Sequence, residues 1–356
     1  MYSPSRLFWL VSLLLIGFLC GPNTLSAQTL PYAKLTPQDW PWWRGPNLDG
    51  SAVTPQNVPL PWDANQDIKW IVDIPGRGHG SPTIAGNSIY LATCDESQGS
   101  QSVLALDRET GQLKWTTVVH ESGAMLKNAK SSGASSSVAT DGEHLFINFA
   151  TGGKVILTAL ALDGRILWQQ PVSDYQIHQG YGASPALYEE LVYCVADTKG
   201  QGAIAAFERA TGKLVWKQPR PSNPNYPSPI VLKVAGKPQL ILTGCDTIIS
   251  YHPKTGEVLW EAPGATTECV TTTVTDGLHV YSSGGYPQNH MSAIRADGSR
   301  TIAWENDERL YVPSMVIKDG YLYAVLDAGT PPAGKVIQVN RCGRAGSEAI
   351  SALRRF

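Results

Sequence analysis

The stretch LALDRETGQLKW, residues 104–115, decides the fold of this chain of 356 residues. It predicts a β-hairpin in which the apolar residues 103–106 form one strand, residues 107–111 form a tight turn, and a second strand ends on Trp115. Gly111 gives the turn a residue that can adopt a positive φ, which a short hairpin loop needs. One hairpin is weak support for any fold, so its repetition along the chain is what matters.

The hairpin recurs at a regular spacing. Close copies are AFERATGKLVW at residues 206–216 and SYHPKTGEVLW at residues 250–260, and looser copies occupy residues 159–168 and 293–304. With an earlier DIKW, the copies place tryptophans at positions 70, 115, 168, 216, 260 and 304, separated by 45, 53, 48, 44 and 44 residues. A period of about 40–50 residues with several strands in each unit is typical of a β-propeller.

Each unit begins with small residues, often Ser-Pro or Ser-Ser, that fit an innermost strand near the axis where blades converge. An apolar second strand follows, and the hairpin supplies the third and fourth strands. The sequence therefore predicts an all-β propeller of four-stranded blades. We count five complete units, at residues 79–120, 133–171, 182–218, 227–262 and 270–305, and a sixth that starts at Val312.

The repeat resembles the PQQ-like β-propeller repeat (pyrrolo-quinoline quinone repeat), which occurs in bacterial quinoprotein dehydrogenases and in the outer-membrane β-barrel assembly factor B. The resemblance covers residues 67–327 and implies seven or eight blades around a central channel. It also implies that the repeated tryptophan packs between neighbouring blades and has a structural role. The tryptophans concerned are Trp70, Trp115, Trp168, Trp216, Trp260 and Trp304, and core positions are expected for the middle four.

Residues 1–27 predict a signal peptide, with Arg6 before an apolar run at 7–19 and cleavage near Ala27. We therefore expect a periplasmic or secreted protein without stable membrane insertion after cleavage; an uncleaved anchor is the alternative. Lipidation at Cys20 is disfavoured because Leu19 stands where a small residue is expected.

Residues 28–66 are rich in tryptophan and proline and contain WPWWRGPNLDG at residues 40–50. We predict that this segment is a clasp that lays its indole rings on the propeller body, with Arg44 stacked on one of them. The alternative is an exposed aromatic patch that binds a glycan or a protein.

The two ends of the repeat region do not match each other. DIKWIVDIP, residues 67–75, reads as an outer strand that needs a partner blade from the C-terminal side. The repeat pattern stops after Asp327, however, and residues 328–356 read as a basic tail without strand alternation. We therefore expect an incomplete ring and a tail that is not native to the fold, from a frameshift or truncation; a genuine short basic tail is the alternative.

Composition and motifs exclude several classes of function. The net charge of −2 gives no support for a nucleic-acid partner. The five cysteines after residue 27 are widely spaced and predict separate buried thiols, although export permits a disulfide. The sequence has no GxSxG, HExxH or phosphate-loop motif, so we assign no catalytic and no metal-binding residue.

Quinoprotein enzymes of the resembled family use a calcium ion, a catalytic aspartate and, commonly, a vicinal disulfide. This sequence has no Cys-Cys pair and no alignable set of calcium ligands. We therefore expect no cofactor and no enzymatic activity, with a PQQ-dependent oxidoreductase holding PQQ and calcium as the alternative. A detached sensor domain is a third possibility, without a kinase motif to support it.

Polar and aromatic residues recur just before the innermost strands, where the resembled fold places one rim of the central funnel. They predict a binding protein whose funnel takes a protein segment or a small polar ligand; solvated loop residues are the alternative. The candidate ligand-binding residues are Arg77, His79, Lys130, His178, Tyr181, Tyr226, Glu268 and Tyr311.

Overall fold

The computed structural model describes residues 32, 34–53, 59–127 and 129–326, and the backbone of residues 335–340. Within this part of the chain, β-strands form six antiparallel sheets, which we call blades 1 to 6 in chain order. Blades 1 to 5 have four strands each, and three strands of blade 6 are described.

The strands follow one another by hairpin connections. Blade 1 comprises β1 (Thr83–Ala85), β2 (Ser88–Asp95), β3 (Ser100–Asp107) and β4 (Leu113–His120). Blade 2 comprises β5 (Ala139–Thr140), β6 (His144–Thr151), β7 (Lys154–Ala161) and β8 (Ile166–Asp174). Blade 3 comprises β9 (Ala186–Tyr188), β10 (Leu191–Ala196), β11 (Gly202–Glu208) and β12 (Leu214–Arg220).

The second half of the propeller repeats this order. Blade 4 comprises β13 (Ile230–Val234), β14 (Lys237–Gly244), β15 (Thr247–Tyr251) and β16 (Val258–Pro263). Blade 5 comprises β17 (Val274–Thr275), β18 (His279–Gly284), β19 (His290–Arg295) and β20 (Ile302–Asn306). Blade 6 comprises β21 (Val316–Lys318), β22 (Tyr321–Leu326) and β23 (Lys335–Asn340).

The first strand of each blade is the innermost one. Strand β1 contacts β5, β5 contacts β9, β9 contacts β13, and β17 contacts β21. The middle strands carry the core, and every residue of β10 is buried because both of its faces are covered by neighbouring blades. The predicted all-β propeller, with an incomplete ring, is confirmed.

The repeated tryptophans join successive blades in a regular way. Each ring packs on the turn glycine of the following blade, where φ is between 72° and 90° and a Cβ would lie 2.6–2.9 Å from the ring. The indole Nε1 donates to a carbonyl of the same turn at 2.7–3.1 Å. The four ring and glycine pairs are Trp70 with Gly111, Trp115 with Gly164, Trp168 with Gly212, and Trp216 with Gly256.

The expectation that the middle four tryptophans are core residues needs a correction. Trp216 and Trp260 are buried, with 8% and 3% exposure, but Trp115 and Trp168 are only partly buried. Their rings lie near the outer edge of the blades, so one side reaches solvent while the other covers the next turn.

Within the predicted clasp segment, residues 28–66, residues 39–50 run across the innermost strands, and we call these residues the clasp from here on. The backbone of Trp40 pairs with Ile84 of β1 in an isolated bridge. Trp42 is 4% exposed, and its Nε1 donates to the Pro185 carbonyl oxygen at 2.6 Å. Arg44 lies 5.3 Å from the centre of the Trp43 ring and donates to the Met315 carbonyl oxygen at 2.6 Å. These three contacts connect the clasp to blades 1, 3 and 6.

The segment at 67–75 was predicted to be an outer strand, and this is wrong for the described part of the chain. Residues 67–75 make no strand ladder, because no described strand lies beside them to complete one. Trp70 still packs on blade 1, while Ile71 is 80% exposed.

The prediction that the tail after Asp327 has no strand alternation is wrong for residues 335–340. Strand β23 pairs with β22 in antiparallel register, with Leu326 opposite Lys335 and Tyr321 opposite Asn340. The β-branched run in KVIQVN suits a strand, and the basic composition of residues 328–356 concealed it. Residues 341–356 and the predicted signal peptide at 1–27 lie outside the described residues, so those two predictions stay predictions.

Cys94, Cys194, Cys245 and Cys269 are free, buried thiols, and Cys342 lies outside the described residues. Burial raises the pKa of Cys94 to about 11 and that of Cys194 to about 12. In the described ranges, no helix has both the length and the apolar character needed to cross a membrane.

Candidate ligand-binding funnel

A funnel of about 650 Å³ opens at the axis where the segments before the innermost strands converge. It receives side chains from all six blades, and Trp43 of the clasp also lines it. Trp42, next to Trp43, is inserted between blades 2, 3 and 4 on the other side, against Thr140, Leu187 and Ile230. The clasp therefore forms part of the funnel wall as well as joining blades together.

A ring of hydroxyl groups surrounds the funnel. The residue two positions before each innermost strand is a serine or threonine in every blade, and all six line the cavity. The position needs a small side chain because the blades converge there, and a hydroxyl can also bond the neighbouring blade. The six residues are Ser81, Ser137, Ser184, Ser228, Thr272 and Ser314.

Hydrogen bonds link this hydroxyl ring from blade to blade. The Ser81 backbone N–H donates to the Ser137 hydroxyl at 2.8 Å, and the Ser137 N–H donates to the Ser184 hydroxyl at 3.0 Å. The Ser184 N–H donates to the Ser228 hydroxyl at 2.8 Å. Three hydroxyl oxygens thus act as acceptors, and each keeps its own proton to donate elsewhere.

The hydroxyl ring and Trp43 were not among the sequence-predicted ligand residues. The signal for the ring was present, since Ser-Pro or Ser-Ser opens most units, but it was interpreted only as a requirement for small side chains. No sequence pattern reports that Trp42 is buried while its neighbour Trp43 faces the funnel.

Three of the predicted rim residues form one connected cluster. His178 Nδ1 lies 3.2 Å from the Tyr226 hydroxyl and 3.4 Å from Glu268 Oε1. Burial and the nearby Glu268 charge raise the pKa of Tyr226, and the same two causes raise the pKa of Tyr311 to about 12. Both phenols are therefore neutral hydrogen-bonding groups at neutral pH.

The structure places the predicted residues at different distances from the cavity. His79, Lys130, Tyr181, Tyr226 and Tyr311 line the funnel, whereas Arg77, His178 and Glu268 lie outside its lining. Arg77 is paired with Glu96 at 3.4 Å and donates to the Ala129 carbonyl oxygen, so it holds neighbouring loops.

Tyr181 lines the funnel, but its hydroxyl points into the protein. The Tyr181 hydroxyl donates to the Val195 carbonyl oxygen at 2.8 Å and accepts from Asn148 Nδ2. Burial raises the pKa of this phenol well above its usual range. Its hydroxyl is therefore committed to the packing between blades 2 and 3.

The described funnel does not fit the calcium site of the resembled quinoprotein enzymes. Calcium takes six to eight oxygen ligands, commonly with several carboxylates, but no Asp or Glu is among the described residues that line this cavity. Glu268, beside the lining, is within ion-pair distance of His178. Nor do the described residues contain a group of three His, Cys, Asp or Glu side chains suited to a metal ion.

Comparison with curated proteins finds two polyvinylalcohol dehydrogenases as relatives. The chain is 22% identical over 333 residues to a polyvinylalcohol dehydrogenase of Pseudomonas sp, covering 88% of this chain and 46% of that protein. A polyvinylalcohol dehydrogenase of Sphingopyxis sp. (strain 113P3) is 26% identical over 184 residues, with 48% of this chain and 26% of that protein covered. The chain thus spans less than half the length of these curated relatives.

Among solved structures, the crystal structure of BamB from Moraxella catarrhalis superposes with a TM-score of 0.54. Its sequence identity is 19%, and the superposition covers 72% of each chain. The family model described as outer membrane protein assembly factor BamB matches residues 60–179 and 129–342, which together are most of the chain. By this match and by its repeated blades, the chain belongs to the BamB family of PQQ-like β-propellers.

Proposed function

We propose that this chain is a non-enzymatic binding or scaffold propeller that takes a protein segment or a small polar ligand in its funnel. The carrying observation is the funnel of about 650 Å³, which has a ring of hydroxyl groups and an indole ring in its wall. A cavity of this size with convergent polar groups is the usual form of a ligand site. The predicted signal peptide supports a periplasmic or secreted location.

The test compares ligand-induced thermal stabilisation of the wild-type chain with that of funnel variants. A panel of short peptides and small polar compounds is screened first, and each hit is then measured on Trp43→Ala and His79→Ala. Lys237→Ala is the matched control, because Lys237 is exposed and lies outside the funnel lining.

We expect ligands that stabilise the wild type to lose most of that effect in the two funnel variants and to keep it in the control. A panel without any stabilising compound, or hits that stabilise all variants equally, contradicts the proposal.

The second candidate is a PQQ-dependent oxidoreductase, which the name of the relatives favours, since a polyvinylalcohol dehydrogenase matches 88% of this chain. It is tested by adding PQQ with calcium and following the quinone absorbance together with dye-linked oxidation of a secondary alcohol. A bound-quinone spectrum with turnover would replace the first proposal; an unchanged quinone spectrum without turnover would eliminate the second.

A further inference from the structure

The hydroxyl ring presents hydrogen-bond donors to the funnel. The residues Ser137, Ser184 and Ser228 are 4%, 3% and 6% exposed, and each hydroxyl oxygen already accepts a backbone N–H. Their hydroxyl protons have no acceptor among the described hydrogen bonds, although these side chains line the cavity. Three O–H groups at equivalent places in successive blades are therefore available to donate to an acceptor in the cavity.

A further unused donor belongs to Trp43. Its Nε1 is buried and has no hydrogen-bond partner among the described residues, and its ring lines the same funnel. A buried N–H without an acceptor is energetically unfavourable. The wall of the funnel thus contains hydroxyl donors, and an unpartnered indole N–H lies buried beside it.

The charge of the funnel lining also favours a ligand that carries hydrogen-bond acceptors. Lys130 contributes a positive charge and His79 an imidazole, while none of the described lining residues is acidic. A neutral polyol offers about as many donors as acceptors, so its own hydroxyl protons would face the donors of the ring. An anion that carries several oxygen acceptors suits both the hydroxyl donors and the positive charge of the lining.

We propose that the funnel binds an oxyanion, a carboxylate or phosphate group, whose oxygens accept hydrogen bonds from the hydroxyl ring, with Lys130 supplying the opposite charge. This inference rests on the proposed binding function of the funnel and names the chemical class of its ligand. Carboxylate and phosphate share the chemistry of the site, and the experiment separates them.

Isothermal titration calorimetry on the full chain at low salt uses citrate, inorganic phosphate and neutral sorbitol as probes. We expect citrate or phosphate to bind at one site with an affinity that falls as salt is raised, and sorbitol not to bind. The anion that binds more tightly identifies the source.

The variant Ser184→Ala removes one donor, and we expect it to weaken anion binding about tenfold to a hundredfold. Ser184→Thr keeps the hydroxyl and should retain binding within a few-fold, and Ser299→Ala, on an exposed turn, is the matched control. Since Ser184 also bonds blade 2, Lys130→Gln provides a second variant that leaves the ring intact, with binding again expected to weaken.

The outcomes separate this inference from the proposed function. If sorbitol or a peptide binds in a Trp43-dependent manner while both anions fail, the oxyanion assignment is overturned and the binding function stands. If no probe or screened ligand depends on the funnel residues, both fall. Anion binding that is unchanged in Ser184→Ala and Lys130→Gln also overturns the assignment.

Discussion

The contact between blades 3 and 4 and the contact between blades 4 and 5 use the same residue type in different ways. Trp216 of blade 3 packs on Gly256 and donates to the Pro253 carbonyl oxygen at 2.7 Å. Trp260 of blade 4 has no such turn to cover, because Gly298 of blade 5 has no atom within 4 Å of a Cβ built on it.

Trp260 reaches blade 5 through an intermediate side chain. Its Nε1 donates to Gln239 Oε1 at 2.6 Å, and Gln239 Nε2 donates to the Ala296 carbonyl oxygen of blade 5 at 2.9 Å. A tryptophan contacts the next blade directly at the three Thr-Gly turns and at the Asp163-Gly164 turn of blade 2, but not at the turn of blade 5. Where the turn of blade 5 is Asp-Gly-Ser, the buried Gln239 amide of blade 4 connects Trp260 to blade 5.

The largest loss of stability is expected from removing the Trp216 ring, which contacts blade 4 directly. Trp216→Ala should lower the free energy of unfolding by about 3–5 kcal/mol, because it empties a buried volume between blades. Trp304→Ala is the comparison, since this partly buried ring has no Nε1 partner in the described residues and should cost less. Chemical denaturation measures both, and equal costs would remove the distinction between the contacts.

Gly256 and Gly298 directly test the difference between the contact of blades 3 and 4 and the contact of blades 4 and 5. Gly256→Ala places a Cβ 2.6 Å from the Trp216 ring at a φ of +72°, so strain and overpacking together should cost about 2–4 kcal/mol. Gly298→Ala also meets a positive φ, of +90°, but in open space, and should cost about 1–2 kcal/mol. Thermal unfolding of the pair would contradict this account if Gly298→Ala were the more destabilising change.

The next-largest loss of stability is expected from replacing Gln239, whose amide connects blades 4 and 5. Gln239→Leu leaves the Trp260 N–H, the Ser250 hydroxyl and the Ala296 carbonyl without a partner, and should cost about 2–3 kcal/mol. Gln112→Leu, at an exposed turn position, is the control, with an expected change within about 0.5 kcal/mol. If both variants unfold at the same denaturant concentration, Gln239 does not connect the blades.

The smallest loss of stability is expected at Asp276, in the turn between β17 and β18 of blade 5, and it depends on pH. Burial alone would raise the pKa of Asp276, but hydrogen bonds from His279 and from backbone N–H groups outweigh it and hold the pKa well below its usual range. The carboxylate therefore stabilises the fold above the usual aspartate pKa of about 3.9, and this stabilisation is lost as the pH falls below it.

Asp276→Asn should cost about 1 kcal/mol at pH 7 and flatten the fall in stability between pH 5 and pH 3. Denaturation curves at several pH values measure this slope. A slope identical in wild type and variant would show that this carboxylate does not contribute to acid unfolding.

Much of the fold could be predicted from the sequence, because the hairpin carries its own turn chemistry and repeats at a fixed spacing. The strand at residues 335–340 was missed because pairing with β22, a tertiary effect, determines it. The segment at 67–75 was assigned as a strand on local pattern alone, yet a strand also needs a neighbour.

The candidate site was less predictable than the fold. The location of the funnel followed from the repeat, which placed His79, Lys130 and Tyr226 in its lining. The sequence does not report side-chain direction, so the Tyr181 hydroxyl was assigned to the funnel although it points into the protein. It also could not show that small serines needed for packing would be linked by hydrogen bonds from blade 1 to blade 4.

The clasp has a consequence for how the chain folds. A repeat array can fold blade by blade, because each unit contacts only its neighbours. The clasp instead joins residues 143 positions apart, in the bond from Trp42 to Pro185, and 271 apart, in the bond from Arg44 to Met315. Contacts this distant in sequence form slowly, so the segment synthesised early should dock last. Pulsed hydrogen exchange would then find the Trp40 amide, which donates to Ile84, among the last to be protected during refolding.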